Sequence, residues 1–293
     1  MPPQLADYEI YVKRRDAEQS RAAAPLVSIV TITMNAAATL ARTIESVHAQ
    51  GFPALEHILV DGGSGDGTLE IIRTQARPQD YWISEKDKGI SDAFNKGVAL
   101  SRGQYILILN ADDWLSPDQI AVSVAALEVS GADFVFGDLV FYQGSTPLFR
   151  YQGDPAYAQM IHKRWPSVGH PTLLASRRCF ERAGLFDLHY RNAMDYDWLL
   201  RVHESGARGF YCPQLSANMT HDGVSNLQFR RTIEEVRQIV IAHGRNPLLA
   251  GAEARLRYWK TKLSQPIKRH GAPLYRLIRK SINRSYKPLT INS

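Results

Sequence analysis

The feature that most constrains this chain is a rhythm. Short apolar runs alternate with segments of helical spacing. The runs are LVSIVTI (26–32), HILV (57–60), YWIS (81–84), YILIL (105–109) and DFVFGDLVFY (133–142). Between them lie 39–50, with Leu40, Ile44 and Val47 on one face, then Thr68 to Gln75, Ile90 to Leu100, and 117–129 with Pro117 in its first turn. Continuous β-branched strands belong to a sheet covered on both faces. The alternation predicts an α/β fold whose first half is a doubly wound, mostly parallel sheet. After about residue 150 the alternation becomes irregular. Residues 1–24 read as a polar, partly helical extension with four basic and four acidic residues. No internal repeat is present.

Size and composition narrow the class. A chain of 293 residues, 44% hydrophobic and 22% charged, can bury one large core. That excludes collagen, low-complexity disorder and a disulfide-stapled miniprotein. Cys179 and Cys212 are the only cysteines, so no disulfide framework is expected and a reducing cytosol is the default. No apolar run reaches the roughly 20 residues of a membrane span. The first residues lack the apolar region of a secretory signal. The net charge of +6 hides an asymmetry. Residues 251–293 hold eleven Lys/Arg against one acid, Glu253, which leaves 24 basic and 28 acidic residues elsewhere. A mildly acidic body with a strongly basic tail points to an anionic surface as a partner.

In open α/β sheets, ligands bind beyond the carboxyl ends of the strands. Asn35 follows the first strand, Asp61, Ser64 and Asp66 follow the second, and Asp112 and Asp113 follow YILIL. DGGSGDGT (61–68) opens a helix. Two readings stand: a Gly-rich turn with an N-cap, or a loop whose helix N-terminus favours an anion. It is neither a P-loop nor a G-x-G-x-x-G fingerprint. In NADD (110–113) two adjacent carboxylates repel each other unless a cation lies between them and a phosphate. A helix cap needs one acid rather than two, which favours Mg²⁺ or Mn²⁺ as the occupant. EKDKGISDAFNKG (85–97), with Asp87, Asp92, Asn95 and Lys96, reads on its own as a solvated, capped helix. Asp195 and Asp197 precede WLLRVHE and read on their own as helix N-terminal acids.

The order of these motifs resembles a known family. VSIVTITMN, ILVDGGSGDGT and EKDKGISDAFNKGVALSRGQYILILNADD are followed by GHPTLLASRRCFERAGLFD (169–187), MDYDWLLR (194–201) and HDGVS (221–225). Together they look like the inverting glycosyltransferases of glycosyltransferase family 2, over about residues 25–230. The resemblance implies a GT-A fold, with a nucleotide-binding first half and an acceptor-side second half. The implied division is an extension at 1–24, a GT-A domain at 25–245 and a basic amphipathic tail at 246–293. It implies that Thr33, Asn35 and Asp61 hold the nucleoside, with Ser64 and Asp66 in the same loop and Asp92 closing the pocket. Asp112 and Asp113 would join a divalent metal, Mn²⁺ or Mg²⁺, to the diphosphate. Asp195 would be the general base and Asp197 the fallback. His221 falls where some members supply a further ligand, and His170 where the acceptor usually borders. For both histidines a purely structural role stays open. The chain departs from the pattern at Asn110, in place of the first Asp of D-x-D, at Met34, often aromatic, and at Met194, in place of the Glu before the base.

The implied partners are a nucleotide-diphosphate sugar and a glycan or polyprenyl-linked acceptor, in the setting of bacterial surface-polysaccharide assembly. In APLYRLIRKSINRSY (272–286), Leu274, Leu277, Ile278 and Ile282 share one helical face while Arg276, Arg279, Lys280 and Arg284 fall elsewhere. Such a helix suits peripheral contact with an anionic membrane, or else packs on the catalytic domain. The expected location is the cytoplasmic face of the inner membrane. A catalytically silent nucleotide-sugar binder is the alternative function. Nucleic-acid binding is not expected, because the body is acidic and lacks aromatic-basic interleaving.

Overall fold

The computed structural model describes residues 1–19, 25–163, 165, 167–221, 229–270 and 286–288. Its centre is four parallel strands, β1 (Val27–Thr33), β2 (Leu55–Asp61), β3 (Tyr81–Ser84) and β4 (Tyr105–Asn110), in the order β3-β2-β1-β4. Helices α2 (Leu40–His48), α3 (Thr68–Gln75) and α4 (Ile90–Leu100) connect them. Beyond β4 the sheet becomes mixed. β8 (Leu174–Ser176) runs antiparallel between β4 and β6 (Phe134–Gln143). β7 (Thr146–Tyr151) pairs antiparallel with β6, and β9 (Gly209–Thr220) pairs parallel with it. The short β5 (Trp114–Leu115) pairs with β9. The expected doubly wound half is present, and the irregular second half is the mixed extension of the same sheet.

Residue alternation explains the layering. Ile106 and Ile108 of β4 face one core with Val30, Ile58 and Val60, while Leu107 and Leu109 face the other with Ile29. Period-two side chains that are apolar on both faces require helices on both faces. On one side lie α4, α7 (Arg177–Ala183) and α8 (Met194–Glu204), bringing Phe94, Phe180 and Trp198. On the other lies α5 (Gln119–Ser130), with Ile120, Val124 and Leu127. Each fully buried Ile, Leu or Val contributes about 1.5–3 kcal/mol. Gly97 lets α4 lie directly on β1, because a Cβ there would collide with the Val30 side chain.

Three sequence expectations change. Helix α5 does not start at Pro117: Asp118 takes a left-handed φ of 56°, which separates the proline from the helix. The N-terminal segment is more than a polar appendage. Its helix α1 (Glu9–Gln19) packs on α4, and the buried Arg15 reaches Glu56 of β2 at 2.6 Å. The amphipathic stretch at 272–286 lies outside the described residues except at its end, where Tyr286 belongs to a strand instead of a helix. That strand, β10 (Tyr286–Pro288), runs antiparallel along β7. The basic tail begins within a helix over Pro247–His270, which follows one over Phe229–Ala242. No described helix is long and apolar enough to cross a membrane. Both cysteines are buried free thiols.

Candidate active site

The parallel strands end together. Thr33, Asp61 and Ser84 stand in one register row, and Asn110 lies beside Ile32 one step back. Asp61 is fully buried. Its carboxylate accepts from the Ser84 hydroxyl at 2.6 Å, from the Ser64 hydroxyl and from the Gly63 and Ser64 N–H groups. Gly62 packs closely under the Asp87 carboxylate, which would have to shift to admit a Cβ there. Asn35 holds the loop after β1 in a left-handed conformation, φ 50°. Its N–H donates to Ser64 Oγ at 2.8 Å and its Oδ1 accepts the Gly65 N–H at 2.9 Å. Asp66 accepts from the Ala37 and Thr68 N–H groups. The Thr68 hydroxyl and N–H hold the Asp66 carboxyl below its ordinary value. Asn35, Ser64 and Asp66 thus tie two loops into one rim. Thr33 Oγ1, beneath it, is buried with no hydrogen-bond partner among the described residues.

The NADD segment forms the second wall. Thr43 of α2 donates to the carbonyls of Ala111 at 2.9 Å and Asp113 at 2.7 Å. Thr220 donates to the Asp112 carbonyl, and Arg42 stacks 3.5 Å from the Trp114 ring centre. These contacts fix the turn that presents both carboxylates. Asp113 is 1% exposed, and its Oδ2 has no hydrogen-bond partner among the described residues. Burial pushes its pKa up to about 6, against the opposing pull of His170. His170 Nε2 lies 3.5 Å from that oxygen and 3.0 Å from the Asn110 amide nitrogen. Burial lowers the imidazole's pKa, but Asp113, Asp195 and Asp112 outweigh it and hold it raised. A buried carboxylate oxygen without a hydrogen bond, beside a second carboxylate, is a fitting donor set for a hard divalent cation.

Asp195 and Asp197 differ although both lie in the first turn of α8. Asp197 is buried and occupied: Arg201 donates to it at 2.8 and 2.9 Å. Asp195 shares with His170 a small cavity otherwise lined by apolar groups such as Ile108, Trp165 and Trp198. Its carboxyl is pushed up by burial, with His170 pulling the other way.

The structure therefore brings Asp112, Asp113, His170 and Asp195 into one electrostatic group. It spends Asp92 elsewhere: that carboxylate accepts the Tyr8 hydroxyl at 2.7 Å and the Lys88 N–H at 3.0 Å, and lies 3.4 Å from Lys96. His221 presents its ring edge-on to Phe141 and Phe149 and donates its N–H to Tyr142. Met194 is buried in the core under α8, and Met34 is exposed. Sequence reasoning missed Ser84, Arg42 and Thr43. The available signal was their position, at a strand end and in the helix facing NADD.

Comparisons with known proteins place the chain among glycosyltransferases. The profile described as "Glycosyl transferase family 2" matches residues 28–185. A PGL/p-HBAD biosynthesis glycosyltransferase of Mycobacterium bovis is 33% identical over 190 residues, covering 63% of this chain and 72% of the relative. Among solved structures, a mannosyltransferase from Pyrobaculum calidifontis in complex with GDP-Man and Mn²⁺ superposes with a TM-score of 0.59 at 20% identity, covering 94% of this chain and 83% of that one. S. aureus TarS 1–349 in complex with UDP gives 0.57 at 14% identity, covering 76% and 68%. This chain spans 41% of the longer TarS chain. The structural likenesses establish the fold, that of a GT-A glycosyltransferase.

Proposed function

The chain belongs to glycosyltransferase family 2, and on that premise we propose that it transfers a sugar, with inversion, from a nucleotide-diphosphate sugar to a hydroxyl of a glycan or polyprenyl-linked acceptor. The observation that carries this reading is the pairing of two carboxylate environments. In this reading Asp113, buried beside Asp112, serves the side where the leaving group gains charge. Asp195, in its apolar cavity, lies across His170 from it.

In the proposed reaction the acceptor oxygen attacks the anomeric carbon while the bond to the diphosphate breaks on the opposite face. The acceptor proton passes to Asp195. Its raised pKa makes it a stronger base than a solvated carboxylate. Asp197, committed to Arg201, is the weaker candidate. The rim of Thr33, Asn35, Asp61, Ser64 and Asp66 receives the nucleoside, and Asp92 braces the helix behind it. Asp112 and Asp113 hold the divalent ion, with His221 as the outlying candidate ligand. That ion, Mn²⁺ or Mg²⁺, supplies electrostatic stabilisation of the departing diphosphate. His170 keeps the two acidic walls apart electrically, its positive charge favoured by both.

The same reading divides the chain into 1–24, the catalytic domain 25–245 and the basic tail 246–293. Peripheral attachment to an anionic membrane is part of it. Exposed Leu248, Leu256 and Trp259 beside Arg255 and Lys260 support that attachment. It is tested by vesicle flotation with charge-neutralised tail variants. Failure of the wild type to float with anionic vesicles would remove the membrane from the reading.

Donor hydrolysis tests the central claim. Protein is incubated with a panel of nucleotide sugars and Mn²⁺, Mg²⁺ or EDTA, and released nucleoside diphosphate is assayed. Metal-dependent release from one donor, lost in Asp113→Asn, is expected. Saturable donor binding without release, with acceptor extracts present, would instead make this a silent binder.

A further inference from the structure

A second cluster of ligating groups lies at the other end of the same strands. His48 closes α2, His57 is the third residue of β2, and Asp80 immediately precedes β3. His57 is four residues before Asp61, so about 13 Å of strand separates this cluster from the strand-end site. Among the described residues it is the one group of three potential metal ligands whose donor atoms all fall within 4.8 Å of one another.

The hydrogen bonds around it are incomplete in a telling way. His48 Nε2 donates to Asp80 Oδ2 at 2.8 Å, and the Arg77 N–H donates to the same oxygen. His57 Nε2 pairs with Thr31 Oγ1 at 2.8 Å. His57 Nδ1 has no partner among the described residues, although the ring is wholly buried. An unsatisfied buried nitrogen costs about 1–3 kcal/mol. In the tautomer whose Nε2–H donates to Thr31, the Nδ1 lone pair is free to bind a metal. This is the arrangement by which an outer hydrogen bond orients a metal-binding imidazole. His48 also lines a surface depression with Glu45, Gln75 and Arg77, which gives an ion a way in and water a place to complete its shell.

We propose that His48, His57 and Asp80 bind a Zn²⁺ ion that clips α2 to β2 and to the start of β3. Two imidazoles and a carboxylate suit zinc, whereas Mg²⁺ favours oxygen ligands alone. Donor atoms of a tetrahedral zinc site stand about 3.3 Å apart, so the ion would replace the hydrogen bond between His48 Nε2 and Asp80 Oδ2, now 2.8 Å apart, and part these two atoms slightly. The clip acts on the helix that also carries Arg42 and Thr43, which hold the NADD turn from behind.

The test uses the untagged full chain, stripped with a chelator and titrated with Zn²⁺ by calorimetry in excess Mg²⁺. One Zn²⁺ per chain is expected, with a rise in the thermal midpoint. Thr31→Val, nearly isosteric, is expected to weaken binding by roughly 10–100-fold. His48→Gln, at the surface, is expected to abolish it, whereas Asp113→Asn leaves it unchanged. Circular dichroism checks that each variant is folded. Absence of stoichiometric binding in the wild type would overturn the proposal without any variant. So would binding that survives His48→Gln, or binding lost in Asp113→Asn. None of these outcomes bears on donor hydrolysis.

Discussion

Two aspartates on one turn of α8 show how environment decides a residue's use. Asp197 is neutralised by Arg201, and Asp195 is left beside His170 in an apolar cavity. Asp195→Asn is expected to reduce turnover by roughly 10²–10⁴-fold while donor affinity, measured by calorimetry, is unchanged. The base acts deprotonated, so the acid limb of kcat/KM lies above the ordinary Asp range and the rate falls as pH drops through that raised value. Asp197→Ala is expected to spare donor affinity and cost stability, about 3–5 kcal/mol by urea unfolding, because it strands a buried charge. His57 gives a further pH effect in metal-free protein. Burial holds its pKa near 4, against 6.5 for the ordinary imidazole. The unfolded chain therefore takes up the proton first, and stability falls as pH drops from about 6.5 to about 4. The loss over the whole window is on the order of 3 kcal/mol. A smaller slope is expected for His57→Gln. Asp113 and Asp195 stand out as candidates in the sequence because two adjacent acids at a strand end, and an acid in a family motif, are local signals. The partnership of His170 with Asp113 was not, because it depends on β8 bringing a loop across the sheet to β4.

At the scale of elements, strands were the most legible part of the fold. Their apolar runs placed β1, β2, β3, β4 and β6 to within about two residues, and β1, β2 and β4, buried on both faces, have little choice of composition. The start of α5 was misplaced because Pro117 is compatible with a first turn, and only the left-handed Asp118 shows that the turn ends there. Helix α1 was the least legible. Its largely polar sequence gives no long apolar stripe, and beside Tyr11 and Val12 against the core, what docks it is polar: Tyr11 to Glu85, Arg15 to Glu56, and Tyr81 to Glu18. Arg15→Ala is expected to lower unfolding free energy by about 3–5 kcal/mol, measured by urea denaturation, since Glu56 would stay buried without its main counter-charge. An unchanged midpoint would show that α1 is dispensable to the core.

Across the whole molecule, the charge is divided between an acidic catalytic body and a basic tail. Electrostatic attachment of that kind is screened by salt, so vesicle binding is expected to weaken steeply as ionic strength rises past 0.1 M, where the Debye length is about 10 Å. Insensitivity to salt would mean that the exposed leucines and Trp259 dominate instead.

The return of Tyr286–Pro288 along β7 has a practical consequence. Without it, β7 would be an open rim of unpaired N–H and C=O groups, a template for pairing with another copy. Trimming the chain near residue 250 therefore uncovers sticky backbone as well as removing charge. Light scattering from such a truncated protein is expected to climb with concentration while the full chain stays clear.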